Sequence, residues 1–164
     1  MINYIALASI LRRPPAAFAN VRGKGEYSRL YANVYFYKVL GKVFVVVDAQ
    51  GLPQKAGECQ NGVFGFHIHE GTSCTGNEKD PYADAKTHYN PQNCPHPHHA
   101  GDMPPLFGNN GSAFMAFMTD GFTVEEIVGR TVIIHSNPDD FTTQPSGNAG
   151  EKIACGVIKK KEQN

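Results

Sequence analysis

A chain of 164 residues is long enough for one compact domain with a full core and too short for two of ordinary size. Hydrophobic residues make up 41% and charged residues 18%, which excludes both a disordered chain and a solvated helical rod. Lysine plus arginine (15) equals aspartate plus glutamate (15), so no basic excess points to nucleic acid as a partner.

At the N-terminus, Ile2, Ile5, Ile10 and Leu11, with Ala6, Leu7 and Ala8 between them, predict a short helix ended by Pro14 and Pro15. Residues 1–15 are read as an N-terminal extension and 16–164 as the domain. Arg12 and Arg13 follow the apolar run, whereas a secretory signal carries its charge ahead of it, so no signal peptide is read. A cytoplasmic protein is expected, with the mature form of an exported one as the alternative. No apolar stretch approaches the length that spans a bilayer, so no membrane association is expected.

Next, Ala17–Val21, Leu30–Val39 and Lys42–Asp48 alternate or run apolar between Gly23, Gly25, Gly41 and Gly51, which predicts three antiparallel strands. Val63–Glu70 is a further β-rich run. From Gly71 to Phe107 the pattern dissolves into Gly, Pro, Asn, Asp and His, and a loop of that length inside a compact domain is usually functional. Strand signals return at Gly111–Met118, Thr131–His135 and Ile153–Lys160, while Thr123–Val128 suits either a strand or a short turn of helix. Ser136–Gly150 forms a second long loop. Seventeen glycines, eleven prolines and no tryptophan fit short strands and tight turns, hence an all-β domain. The basic tail Lys159–Lys161 reads as a solvated end.

All seven histidines fall between His67 and His135. His67 and His69 stand two apart in a predicted strand, so both imidazoles leave the same face and can reach one ion. His88, His96 and His99 with Asp102 supply nitrogen and carboxylate ligands, a set suited to tetrahedral, redox-silent zinc. The His67/His69 pair, joined by His135 and one loop histidine, supplies four imidazoles, which suit Cu(II) in tetragonal geometry. A lone histidine is more often a hydrogen-bonded core or surface residue, and it is the clustering that reverses this. A zinc hydrolase would need the HExxH helix, which is missing. Cys59, Cys74, Cys94 and Cys155 lack CxxC spacing, leaving disulfides or plain thiols open.

Five segments resemble the copper/zinc superoxide dismutases in that family's order: GFHIHEG at Gly65–Gly71, HYNP at His88–Pro91, HAGD at His99–Asp102, GRTVIIH at Gly129–His135 and GNAGEKIACGVI at Gly147–Ile158. The resemblance runs from about Ala17 to Lys159. It implies an eight-stranded Greek-key β-barrel or sandwich with two long functional loops. It also implies an enzyme that converts superoxide to dioxygen and hydrogen peroxide by cycling copper between Cu(II) and Cu(I). His67, His69, His88 and His135 become copper ligands. His88 also bridges to zinc and carries a proton, and His96, His99 and Asp102 complete the zinc site. Asp139 matches the carboxylate that links a copper histidine to a zinc histidine, here His67 and His96. Cys74 and Cys155 match the family's disulfide, and Cys59 and Cys94 either pair or stay reduced. A homodimer is a further implication.

Two departures from the family's pattern stand out. Lys152, three before Cys155, occupies the position of an arginine that draws in the anion; it keeps the charge and loses the planar fork, so a reduced rate is expected. Only Pro97 and His98 separate His96 from His99, a contracted spacing in which His98 is the alternative zinc ligand to His96. The loop Asp139–Gly150 is also short. The competing functional reading is a catalytically weak copper/zinc-binding or copper-storage protein on the same scaffold.

Overall fold

The computed structural model describes residues 4–54 and 62–162, the first four of these as backbone only. A helix, α1 (Tyr4–Leu11), precedes nine strand segments: β1 (Ala17–Gly23), β2 (Tyr31–Val39), β3 (Lys42–Gln50), β4 (Val63–Phe64), β5 (Phe66–His69), β6 (Leu106–Phe107), β7 (Ser112–Thr119), β8 (Thr131–His135) and β9 (Lys152–Lys160). A second helix, α2 (Val124–Ile127), lies between β7 and β8. Seven strands form one antiparallel sheet in the order β5-β8-β9-β1-β2-β3-β7, and β4 pairs with β6. β4 runs into the edge strand β5 across Gly65, and β6 leads into the opposite edge strand β7, so the small pair draws the two edges of the curled sheet together. Counting β4 and β5 as one interrupted strand gives the expected eight.

The alternation seen in the sequence turns into two faces. Ala17, Ala19 and Val21 of β1, Ala32, Val34 and Phe36 of β2, and Val43, Val45 and Val47 of β3 point into one core with Phe66, Ile68, Val132 and Ile134. Burying each Val, Ile or Phe there contributes about 1.5–3 kcal/mol against its exposure. On the outer face Tyr37, Val39, Phe44 and Val46 form a smaller cluster against which Ile10 of α1 packs, so the N-terminal extension lies on the sheet.

Thr123–Val128, which suited two readings, contains the helix. The Thr123 hydroxyl accepts the Glu126 N–H at 3.3 Å, and the Glu126 carboxylate accepts the Thr123 N–H at 2.7 Å. This reciprocal cap satisfies backbone donors that a strand here would leave open. The expected loop from Gly71 to Phe107 includes β6, a two-residue strand too short to show a period.

Cys74 and Cys155 form a disulfide that closes 81 residues of chain and ties the first long loop to β9. The loss of unfolded-chain entropy for a loop of that size corresponds to roughly 4–5 kcal/mol. Cys94 is half-buried and forms no disulfide among the described residues; Cys59 lies outside them. Among the described residues no helix is long and apolar enough to cross a membrane.

Candidate metal centre

β5 and β8 pair antiparallel, with His67 opposite Ile133 and His69 opposite Thr131, and His135 closes β8. The long loop returns along β5 as if it were another strand: Tyr89 donates to Ile68 O at 2.8 Å, Ile68 to Gly101 O at 2.9 Å, and Gly101 to Tyr89 O at 2.8 Å. This threading sets His88 beside His69 and Asp102 beside His67. It also requires glycine at 101, where a Cβ would lie 2.3 Å from Ile68 O.

Among the described residues two groups of side chains result, His67, His69, His88 and His135 in one and His88, His96, His99 and Asp102 in the other, each with its ligand atoms within 4.8 Å of one another. His67, His69, His88, His96, His99, His135 and Asp102, singled out from the sequence as ligands, each fall in one of these groups. His98 falls in neither and is exposed.

The outward hydrogen bonds decide which nitrogens are free. His67 Nε2–H donates to Asp139 at 2.7 Å, His69 Nδ1–H to Lys86 O at 2.9 Å, and His135 Nδ1–H to Gly150 O at 3.3 Å. Each donation fixes the tautomer and leaves the other nitrogen as a lone pair facing inward. His67 Nδ1 and His88 Nε2 are buried without a hydrogen-bond partner, and His69 Nε2 faces His135 Nε2 at 3.2 Å. Inward lone pairs at such separations repel unless a cation lies among them, and buried polar atoms left unpaired are costly. The first group therefore fits a metal held by four imidazole nitrogens, a donor set that suits Cu(II).

In the second group His96 Nε2–H donates to the other oxygen of Asp139 at 2.9 Å, which turns His96 Nδ1 inward. That nitrogen lies 3.1 Å from Asp102 without the alignment of a hydrogen bond. His88 Nδ1 and His99 Nδ1 are 3.4 Å apart, and each lies near Asp102, at 2.8 and 3.3 Å. Three nitrogens and a carboxylate converging in this way are the donor set of a tetrahedral zinc.

Electrostatics agree with the hydrogen bonds. Burial, then the neighbouring imidazoles, holds His69 well below the usual histidine range, and burial with His67 and His88 lowers His135 to about 3. Both are neutral at physiological pH, as ligands must be. Burial alone would raise Asp139, but donation from His67, the Phe141 N–H and His96 keeps it below the ordinary carboxylate range. Gly147 belongs to the same brace: with φ of +67°, a Cβ there would sit 1.9 Å from Asp139 Oδ1.

Two contributors were not legible in the sequence. Gln144 clamps both backbone groups of His96, donating to His96 O at 2.6 Å and accepting from His96 N at 3.0 Å. Asp80 meets Lys152, with Nζ to Oδ2 at 2.5 Å. Neither carries a spacing signal, because each partnership spans a long stretch of chain. Lys152 pairs with His135 of the first group across the β8–β9 ladder. The β8–β9 ladder slips between Ile134 and His135, so His135 pairs with Lys152 and Ile153 is the extra residue. Such a bulge re-aims a side chain next to a site. His69, His88, His135 and Lys152 line one open cavity of about 710 Å³.

The sequence model of the family described as copper/zinc superoxide dismutase matches residues 31–158. The chain is 35% identical over 133 residues to superoxide dismutase (Cu-Zn) 2 of Aquifex aeolicus, covering 71% of this chain and 72% of that protein. It is 33% identical over 132 residues to superoxide dismutase (Cu-Zn) 1 of the same organism, covering 71% and 73%. Similarity to the superoxide dismutase (Cu-Zn) of Legionella pneumophila is 34% over 125 residues, covering 71% and 70%.

Proposed function

The chain belongs to the copper/zinc superoxide dismutase family and dismutates superoxide, and from that premise we propose how its own residues divide the work. Two superoxide anions and two protons yield dioxygen and hydrogen peroxide; bound copper supplies the one-electron couple for this, and bound zinc a fixed charge without redox change. In this reading His67 Nδ1, His69 Nε2, His88 Nε2 and His135 Nε2 would hold copper. His88 Nδ1, His96 Nδ1, His99 Nδ1 and Asp102 would hold zinc. The observation that carries the reading is the set of inward nitrogens whose opposite ring positions are already committed to Asp139, Lys86 O and Gly150 O.

His88 alone offers one nitrogen to each group. Its Nε2, buried without a partner, has a single lone pair, which would hold copper or, with that hold released, carry a proton for the peroxide product. Asp139 orients His67 and His96 together and keeps each in the tautomer its group needs. Lys152 draws the substrate anion into the cavity as a point charge, without the bidentate fork of an arginine. Large apolar side chains left in solvent on β6 and β7, Phe107 at 71% and Phe114 at 75% exposed, support a homodimer as part of the proposal.

The test is metal analysis combined with superoxide consumption on protein reconstituted with both metals. One copper and one zinc per chain with turnover is expected. Copper bound without turnover would instead favour a storage protein, and zinc in both groups would overturn the ligand division.

A further inference from the structure

Lys152 does not stand free in the cavity. Its side chain is 16% exposed, its Nζ lies 2.5 Å from Asp80 Oδ2, and the Asp80 side chain is 38% exposed. Asp80 is held independently of this contact: Oδ1 accepts the Tyr82 N–H at 2.9 Å, and its carbonyl accepts the N–H groups of Asn77 at 2.9 Å and Ala83 at 3.1 Å. The turn that carries it is tied down on both sides. Lys24 Nζ donates to Cys74 O at 2.7 Å, the Tyr82 hydroxyl donates to Arg22 O at 2.9 Å, and Cys74 is bonded to Cys155. The carboxylate therefore waits at a fixed place, and the bulge in β9 brings Lys152 to it.

The rest of the cavity wall gives no compensating field. Apart from this pair, three lysines (Lys24, Lys79, Lys86) face three carboxylates (Glu26, Glu78, Glu151). With the wall balanced, the side-chain charge an entering anion meets beside His135 depends on Lys152, and Asp80 cancels much of it at short range. A partly buried pair is screened by salt less than a solvent-exposed one, so the cancellation persists under ordinary conditions.

We propose that Asp80 is a positioning residue that acts through Lys152, holding the ammonium at the cavity wall and offsetting its charge, so that Asp80 limits how strongly the enzyme captures its anionic substrate. The inference rests on the reading of Lys152 as the substrate-attracting cation. Asp80→Asn separates the two effects of the carboxylate, because the amide oxygen still accepts from Lys152 or Tyr82 while the negative charge is gone.

The experiment uses the full chain loaded with copper and zinc, superoxide as substrate and azide as an anion probe read by visible absorbance. In Asp80→Asn, kcat/KM at low ionic strength should rise about 3–10-fold and fall more steeply with added salt than in the parent. The azide dissociation constant should drop by a similar factor. In a Lys152→Met background the same Asp80→Asn change removes only the carboxylate's own repulsion, and the gain in both quantities should be smaller. Unchanged or weakened capture in Asp80→Asn, or an equal gain when Lys152 is Met, would overturn the proposal. Should the parent protein show no turnover while azide affinity still follows Asp80 through Lys152, the dismutase reading fails and the anion-capture inference stands.

Discussion

The two halves of the metal centre are built by different means. His67, His69 and His135 stand on β5 and β8, where ladder hydrogen bonds and a buried apolar face fix the backbone. His96, His99 and Asp102 hang on a loop whose shape depends on single side chains, with Gln144 clamping His96 and Asn90 bracing Cys94 through both backbone groups, at 2.8 and 2.9 Å. The strand-borne half is thus insured by the whole sheet, whereas the loop-borne half is only as well formed as its clamps. Asp139, itself in neither group, braces an imidazole in each.

The largest expected effect lies on the strand-borne side. His135→Ala removes one of four nitrogens from the first group and should lower superoxide turnover by about a thousandfold or more. The sheet should be spared, with the far-ultraviolet circular dichroism unchanged. Retained turnover in the copper-loaded variant would break the division between the halves.

A second effect follows from the neutral imidazoles in the metal-free protein. His69 and His135 have folded values below the unfolded value near 6.5. The unfolded chain therefore binds more protons than the folded one, and stability rises with pH. This contribution is complete above about pH 6.5 and is lost as pH falls towards 3, at about 1.4 kcal/mol per pH unit for each such group. Asp139 and Asp102, held low, add a further loss below about pH 4. Urea unfolding of the metal-free protein between pH 4 and 8, as the checking range, should show this decline, and His135→Ala should flatten it. A profile equally steep without His135 would contradict the account.

Smaller effects sharpen the contrast. Asp139→Ala leaves two buried imidazole N–H groups and the Phe141 N–H without their acceptor, and zinc affinity measured by chelator competition should fall about 10–100-fold, with the copper absorption band altered as well. Gln144→Ala touches only the loop-borne half. Zinc should leave a few-fold to about tenfold faster while the copper band stays as it was, and an equal change in both would remove the distinction drawn here.

What the sequence disclosed follows the same line. His67 and His69 were visible because a strand has a period of two, and His135 because it ends the apolar run Val132–Ile134. His96, His99 and Asp102 were visible by residue type, but their spacing left His98 open. The clamp that separates His96 from it comes from Gln144, 48 residues away, and no local pattern announces such a partner. Leu106–Phe107 was lost because two residues carry no period. The bulge at Ile153 was lost because it is a property of the β8–β9 pairing rather than of either strand, so the pairing of Lys152 with Asp80 could not be foreseen.

The shared brace of Asp139 and the two-sided ring of His88 also bear on how the protein fills. Any factor by which occupation of one pocket tightens the other must act equally in reverse, since free energy around a closed cycle sums to zero. If filling one pocket tightens the other, scarcity of either metal loosens the hold on both.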